Sequence, residues 1–490
     1  MYVNHLQKIG GGNFILLIIA LIANVLLIAD CVLLLFFHKV LDIDVIGIML
    51  ETHPAEIKEF TKTYLTPLNV ILLVLVVIVF NISARKLAVV MSRGRRIVPT
   101  VAAILSGAGL ILGVHTAVGY ALYRNGNGMP QLSSLTRVAH AYMMTRRSAA
   151  GIEDLIHLAD DMASTVKAGS GIDAAFVVVI GESHSVYRSS FMGYGKDTYP
   201  LIGRRIAEGE IAVCTDVVSA ADLTHAVMHS IFSFGRSNGS FSSFPVFPMV
   251  FREAGYVTRM YDTQYLPGRG VSFLSDEELS VRMFDYRNTS SYPSDLALMD
   301  SVAIPQGREL IVCHIMGQHY DYAQRYPSDG FSFFTPGLYA GSPVEKRMQS
   351  DYDNACRYND YVLDHLMERL SGSNVCLVYL SDHGEDVCET DGYIGHGNAP
   401  HRPDMRYQIR IPMFVWASRG FRESYPEKWE AVMASRHRPV ISDDLPHILT
   451  DLSGIETSWF DPSRSFLNER FDSTAHRIVL NSVDYDAEWK

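Results

Sequence analysis

Ala174-Ala-Phe-Val-Val-Val-Ile-Gly-Glu182-Ser183 is a run of branched and aromatic residues that breaks at glycine and then delivers a carboxylate. Val375-Cys-Leu-Val-Tyr-Leu-Ser-Asp382-His383-Gly384-Glu385 repeats the pattern far along the chain, with acid and imidazole at its end. Each run is short and rich in β-formers, so it reads as a buried strand rather than a helix. In an open α/β sheet, ligands bind beyond the carboxyl ends of the strands. Glu, Asp and His delivered there make an oxygen and nitrogen donor set suited to zinc. One such stretch alone is compatible with a capped turn. Two together argue for a metal site, because buried charges are costly unless paired or metal-bound.

Outward from these two runs, strand, loop and helix alternate from Ile172 onward. Candidate strands are Ala174–Ile180, Ile211–Val218, Tyr256–Tyr261, Glu309–Ile315, Val375–Leu380 and Ile411–Trp416, with helical stretches at Phe247–Ala254, Met348–Leu370 and Ser442–Leu452. This alternation predicts a three-layer α/β/α domain over residues 174–490.

The chain has 490 residues and a formal charge of −11. The length suggests two to four domains, and the absence of a Lys/Arg-rich tract argues against a nucleic-acid partner. Mean hydropathy is +0.09, and the apolar excess lies near the N-terminus. Phe14–Phe37 is nearly continuous apolar sequence interrupted by Asn24 and Asp30, polar groups expected to face other helices or a polar cavity. Tyr64–Ile82 and the Gly- and Ala-rich Val98–Tyr123 follow. Residues 1–123 are therefore expected to form a transmembrane domain with spans at 14–37, 64–82 and 98–123. A cleaved signal peptide is disfavoured by the length of the first segment and the two behind it. Arg85, Lys86, Arg93, Arg95 and Arg96 place the loop between spans two and three in the cytoplasm. Three crossings then deliver everything after residue 124 to the outer face. Residues 124–173 read as a bridge with amphipathic helices at Leu135–Arg147 and Ile152–Val166. Of six cysteines, five fall beyond the spans, and an odd number implies no complete pairing.

The hydroxyl best placed to join Glu182, Asp382 and His383 is Thr224, which follows a strand and opens a helical pattern. The N–H groups and dipole of a helix N-terminus favour an anion, and metal coordination lowers a hydroxyl pKa. Ser183 is the less favoured hydroxyl, because neighbours at a strand end point in opposite directions. His319 and His396 lie on loops after strands, suited to binding phosphoryl oxygens, holding a second metal or moving protons. In the outer loop 38–63, Pro54 fits a first helical turn, and Thr52 and Glu56 would share one helix face.

These motifs resemble the membrane-bound phosphoethanolamine transferases of the alkaline phosphatase/sulfatase superfamily. Gly181-Glu182-Ser183 with the Gly193–Pro200 tail, Ser381-Asp382-His383-Gly384-Glu385 with Gly395-His396-Gly397, Gly317-Gln318-His319 and the Gln264 loop carry the likeness. Glu51–Glu56 resembles a helix the family associates with the ethanolamine headgroup. The resemblance implies a bacterial inner-membrane, multi-pass protein with its catalytic domain on the periplasmic side. It implies one tightly bound zinc held by Glu182, Thr224, Asp382 and His383, and leaves a second ion open. Thr224 would attack phosphatidylethanolamine and pass phosphoethanolamine to an outer-face acceptor such as lipid A or lipopolysaccharide core. His319 and His396 would steady the phosphoryl group and handle protons, with Thr52, Glu56 and Gln264 binding the donor. The chain departs from the family's pattern at Ala220 and Ser230, where a disulfide commonly brackets the nucleophile loop, and at Lys196, which replaces an arginine. Arg269 is the substitute offered for an expected lysine.

Three alternatives follow from the same residues. A phosphoglycerol transferase or phosphodiesterase shares the metal core without needing Thr52 and Glu56. A sulfatase needs a Cys or Ser nucleophile motif that Thr224-His-Ala-Val-Met lacks. An inactive membrane scaffold fits poorly with four competent core positions.

Overall fold

The computed structural model describes residues 151–237, 243–268, 272–390, 392–397 and 405–489, with scattered positions between 25 and 78. The chain divides into two compact units, Met1–Ser148 and Ala149–Lys490. In the first unit the described positions are mostly helical, and the buried Asp30 accepts the Leu41 N–H at 2.7 Å. Apart from such positions, the three expected spans lie outside the described residues. So do the helix at Leu135–Arg147, Thr52, Glu56 and Arg269. Among the described residues no helix is long and apolar enough to cross a membrane.

The second unit is built on a seven-stranded sheet. Its strands are β1 Ala175–Gly181, β2 Ile211–Cys214, β3 Val257–Asp262, β4 Tyr286–Arg287, β5 Glu309–His314, β6 Val375–Ser381 and β7 Met413–Ala417. Their order is β2-β7-β6-β1-β5-β3-β4. All seven residues of β1 are buried, as its unbroken apolar run predicts for a central strand. Pairings are parallel except that β7 runs antiparallel to both β2 and β6.

Helices cover both faces, giving the three-layer α/β/α arrangement. The principal ones are α1 Pro200–Ala207, α2 Thr224–Phe232, α3 Phe247–Glu253, α4 Pro343–Leu370 and α5 Leu445–Ser453. Phe176, Val178 and Ile180 of β1 pack under α2, α3 and α5 through Val227, Ile231, Val250 and Leu449. Val177 and Val179 pack against Ile202 of α1 and Leu363 and Leu366 of α4. The long helix α4 starts at a capping box in which Ser342 and Glu345 bond each other's backbone N–H groups, followed by Pro343 at its first position.

Three expectations are corrected. The strand expected at Ile211–Val218 is two: Val217–Val218 leaves the main sheet and pairs parallel with Val440–Ile441. The break falls at Thr215-Asp216, where the Thr215 N–H turns to the Arg436 carbonyl and Asp216 pairs with Arg477. That turn carries the chain toward Thr224. The strand expected at Ile411–Trp416 begins only at Met413, after Pro412, which has no N–H to donate. The helix expected at Ile152–Val166 ends at residue 160, and Val166 instead bridges to Thr457.

Candidate metal centre

β1 and β6 are paired in register to their last residues, Gly181 opposite Ser381. Glu182 and Asp382 therefore leave the sheet side by side. Thr224 arrives from the other direction as the first residue of α2. Leu223 occupies the N-cap, and no side chain caps the helix. The Thr224 hydroxyl is thus turned to the acids rather than to its own backbone. Its Oγ1 lies 3.3 and 3.1 Å from the two Glu182 oxygens and 3.3 Å from His383 Nε2. His383 Nε2 is 3.3 Å from Glu182 Oε1 and 3.3 Å from Asp382 Oδ2.

The tautomer of His383 follows from its other nitrogen. Nδ1 is 2.9 Å from the Gly384 carbonyl, which only accepts, so Nδ1 carries the hydrogen and Nε2 the lone pair. That lone pair faces three oxygens. Asp382 Oδ1 accepts the N–H groups of Ser183 and His383 at 3.0 and 2.6 Å, whereas Oδ2 is buried without a hydrogen-bond partner among the described residues. An arrangement of electron pairs converging on one point calls for a cation. The spacing fits zinc: tetrahedral bonds of about 2.0–2.1 Å put neighbouring donor atoms about 3.3 Å apart. The donor set present therefore matches the group that the motifs imply.

The electrostatics agree. Burial pushes the Asp382 carboxyl up to about 6, with the Glu182 charge adding to the effect. Burial opposes a charge on His383, yet Asp382 and Glu182 together hold it up to about 10. Glu182, although buried, is kept well below the usual carboxylate range by its hydrogen bond to His383 and the charge there. The two buried carboxylates thus favour positive charge at His383.

Around this centre stand other groups. Gln264 Nε2 donates to Glu182 Oε2 at 3.2 Å. His396 Nδ1 lies 2.6 Å from Glu385 Oε2, and its ring centroid is 4.1 Å from that of His383. His319 Nδ1 donates to the Tyr320 carbonyl at 2.6 Å. Both histidines consequently carry their lone pair on Nε2 when neutral. Ser183 corrects an expectation. Rather than pointing away, its hydroxyl donates to Glu182 Oε1 at 2.9 Å. The strand has already ended at Gly181, and Ser183 takes a left-handed φ of 55°, so strand alternation no longer applies.

Glu385 lies in the quoted motif, but its place was not legible from it. It is buried, accepts the Tyr322 hydroxyl on one oxygen and holds His396 on the other. Glu385, His383 and His396 form a second cluster with metal-ligand spacing. Gly317 takes a φ of +45°, and a Cβ there would stand 2.9 Å from the Glu182 carbonyl oxygen. Gly317→Ala is expected to force the His319 loop away from Glu182 and to cost about 1–3 kcal/mol of stability. The melting temperature and zinc content of the purified variant check this.

The five cysteines among the described residues are all free thiols.

Comparison with known proteins places the chain in a family. A family model described as Sulfatase matches residues 174–455, more than half of the chain, and the chain belongs to that family. Phosphoethanolamine transferase EptC from Escherichia coli O18:K1:H7 is 28% identical over 334 residues, covering 63% of this chain. The chain matches only 57% of the length of that relative. The zinc complex of the C-terminal periplasmic domain of EptC from Escherichia coli superposes with a TM-score of 0.57 at 26% identity, covering 66% of this chain and 96% of that one. The integral membrane protein lipooligosaccharide phosphoethanolamine transferase A (EptA) from Neisseria meningitidis gives a TM-score of 0.67 over 95% of this chain and 88% of that one. At 18% identity that likeness is one of fold.

Proposed function

We propose that this protein transfers phosphoethanolamine from phosphatidylethanolamine to an outer-face acceptor such as lipid A or lipopolysaccharide core, through a covalent intermediate on Thr224. The observation that carries the reading is the convergence of the Thr224 hydroxyl with Glu182 and His383 at the start of α2. The names of the relatives support the substrate class.

Glu182, Thr224, Asp382 and His383 would hold one zinc ion. Bound there, zinc supplies positive charge that lowers the hydroxyl pKa and offsets charge on the phosphoryl oxygens. In the first half-reaction Thr224 Oγ forms a bond to phosphorus while the bond to the diacylglycerol oxygen breaks. The hydroxyl proton passes from Oγ to the Nε2 lone pair of neutral His396 or His319, and that imidazolium gives it to the departing oxygen. In the second half the same Nε2 takes the proton of an acceptor hydroxyl as its oxygen attacks phosphorus, the bond from phosphorus to Thr224 Oγ breaks, and the proton returns to Oγ. Glu385 keeps His396 in the tautomer that this needs. Residues 1–123, with spans at 14–37, 64–82 and 98–123, would anchor the protein in the inner membrane. Thr52 and Glu56 would meet the donor headgroup, and 174–490 would face the periplasm.

The test is the intact mass of detergent-purified, zinc-loaded protein after incubation with phosphatidylethanolamine. A gain of about 123 Da, one phosphoethanolamine unit, is the expected result of a covalent mechanism. Labelling by phosphatidylglycerol instead would replace this reading with a phosphoglycerol transferase.

A further inference from the structure

Four strands, not two, end in chemistry on the same face of the sheet. Asp382 follows β6, Glu182 follows β1, His314 closes β5 and Asp262 closes β3. These strands are neighbours in that order. Leu310 and Val312 of β5 and Met260 of β3 lie in the same core as Ile180, so by alternation His314 and Asp262 share the face from which α2 brings Thr224. His314 stands directly between Asp262 and the β1 end, paired in register with both Ile180 and Asp262.

Its two nitrogens are treated differently. Nδ1 lies 3.1 Å from Asp262 Oδ1, on the β3 side. The Asp262 carboxylate is itself fixed: it accepts the N–H groups of Gln264 and Tyr265 at 2.8 and 3.0 Å and pairs with the buried Arg287 at 3.2 Å. Nε2 is the ring's other nitrogen, on a residue whose partner in register on β1 is Ile180, two residues before Glu182. It is buried and makes no hydrogen bond among the described residues. A buried polar atom without a partner is costly, and in a native fold it calls for a reason. Stacking of the ring on Tyr265, at 5.7 Å and 9°, fixes its plane.

We propose that His314 is a positioning residue of the metal centre: Asp262 holds its Nδ1, and its Nε2 serves an oxygen, of water or of a phosphoryl group, bound beside Glu182. The inference rests on the metal-dependent reading above. Burial opposes a charge on His314, but Asp262, with Glu182 and Asp382 beyond it, holds its pKa above the ordinary value. Asp262 acts on the same target by a second route. The turn it shapes carries Gln264, whose amide holds Glu182 Oε2.

The two nitrogens can be separated by substitution. His314→Asn keeps a donor near the Nδ1 position and loses Nε2; His314→Gln keeps one near Nε2 and loses the bond to Asp262. Full-length, detergent-purified protein is compared with both variants by chelator competition for zinc without substrate, by single-turnover formation of the Thr224 adduct, and by melting temperature. The expected result for His314→Asn is zinc binding about 10–100-fold weaker, as for loss of an outer-shell partner, with a native-like melting temperature. The adduct should form at least about tenfold more slowly, and His314→Gln should recover part of both losses. Wild-type zinc affinity and adduct rate in His314→Asn would overturn the proposal. So would collapse of the fold in both variants, which would make His314 a core residue. If wild-type protein forms no adduct, the transfer reading fails, and zinc affinity still decides the role of His314.

Discussion

Asp382→Asn is expected to give a folded protein that binds zinc more than about 100-fold more weakly and in which the proposed phosphoethanolamine transfer falls to background rate. The substitution is nearly isosteric, and Asn Oδ1 can go on accepting the Ser183 and His383 N–H groups that now bond Asp382 Oδ1. What changes is the second atom. Oδ2, which has no hydrogen-bond partner of its own, becomes an N–H₂ placed 3.3 Å from His383 Nε2. That group donates to the lone pair a metal needs, so the variant loses one ligand and masks another. The metal-free variant should accordingly melt no lower than the metal-free wild type, while zinc stabilises only the wild type. At a thousandfold excess over Kd the wild type gains about 4 kcal/mol from the metal. The pH dependence has a definite sign. In the wild type a proton held on His383 up to about 10 must leave when zinc binds, so affinity rises with pH below that value. Wild-type zinc affinity in Asp382→Asn would remove Asp382 from the centre.

The part of this site legible in the sequence is the part in which a single strand carries its own signal. The runs before Glu182 and Asp382-His383 announce two buried strands and what stands at their ends. Thr224 is legible as a hydroxyl opening a helix. Strand order and direction are not legible, because apolar periodicity is the same for parallel and antiparallel strands; the reversal of β7 is invisible at Met413–Ala417. Side-chain pairs across strands are equally hidden. His314 and Asp262 are 52 positions apart, and they meet only because β5 and β3 are neighbours. A signal was nonetheless present. Tyr256–Tyr261 is followed by Asp262, and His314 lies at the end of Glu309–Ile315, the same apolar run with a chemical terminus that marks the first two strands. Ser183 escaped for a different reason: alternation holds inside a strand, and its φ of 55° puts it outside one.

Thr224→Ala is expected to abolish the covalent adduct and to lower turnover by about 10⁴-fold or more, the scale of losing a nucleophile. Zinc should stay bound, since Glu182, Asp382 and His383 supply three ligands and a neutral hydroxyl is the weakest of the four. The choice of nucleophile is a real one, because two hydroxyls touch Glu182: Ser183 at 2.9 Å and Thr224 at 3.1 Å. Ser183 is fully buried, and its oxygen serves only to hold the carboxylate. Thr224 is half-buried, also faces His383 Nε2, and sits where the first N–H groups of α2 point at an incoming anion. Substrate can reach one and not the other. Ser183→Ala should therefore still form the adduct, more slowly as Glu182 loses a support. Thr224→Ser should form it at roughly a tenth of the wild-type rate, since without its methyl group the hydroxyl is less firmly held in one rotamer. Intact-mass measurement on the three variants, with peptide mapping of the labelled site, reads all of this at once. Label on Ser183 in the wild type, or an undiminished adduct in Thr224→Ala, would assign the attack to another residue.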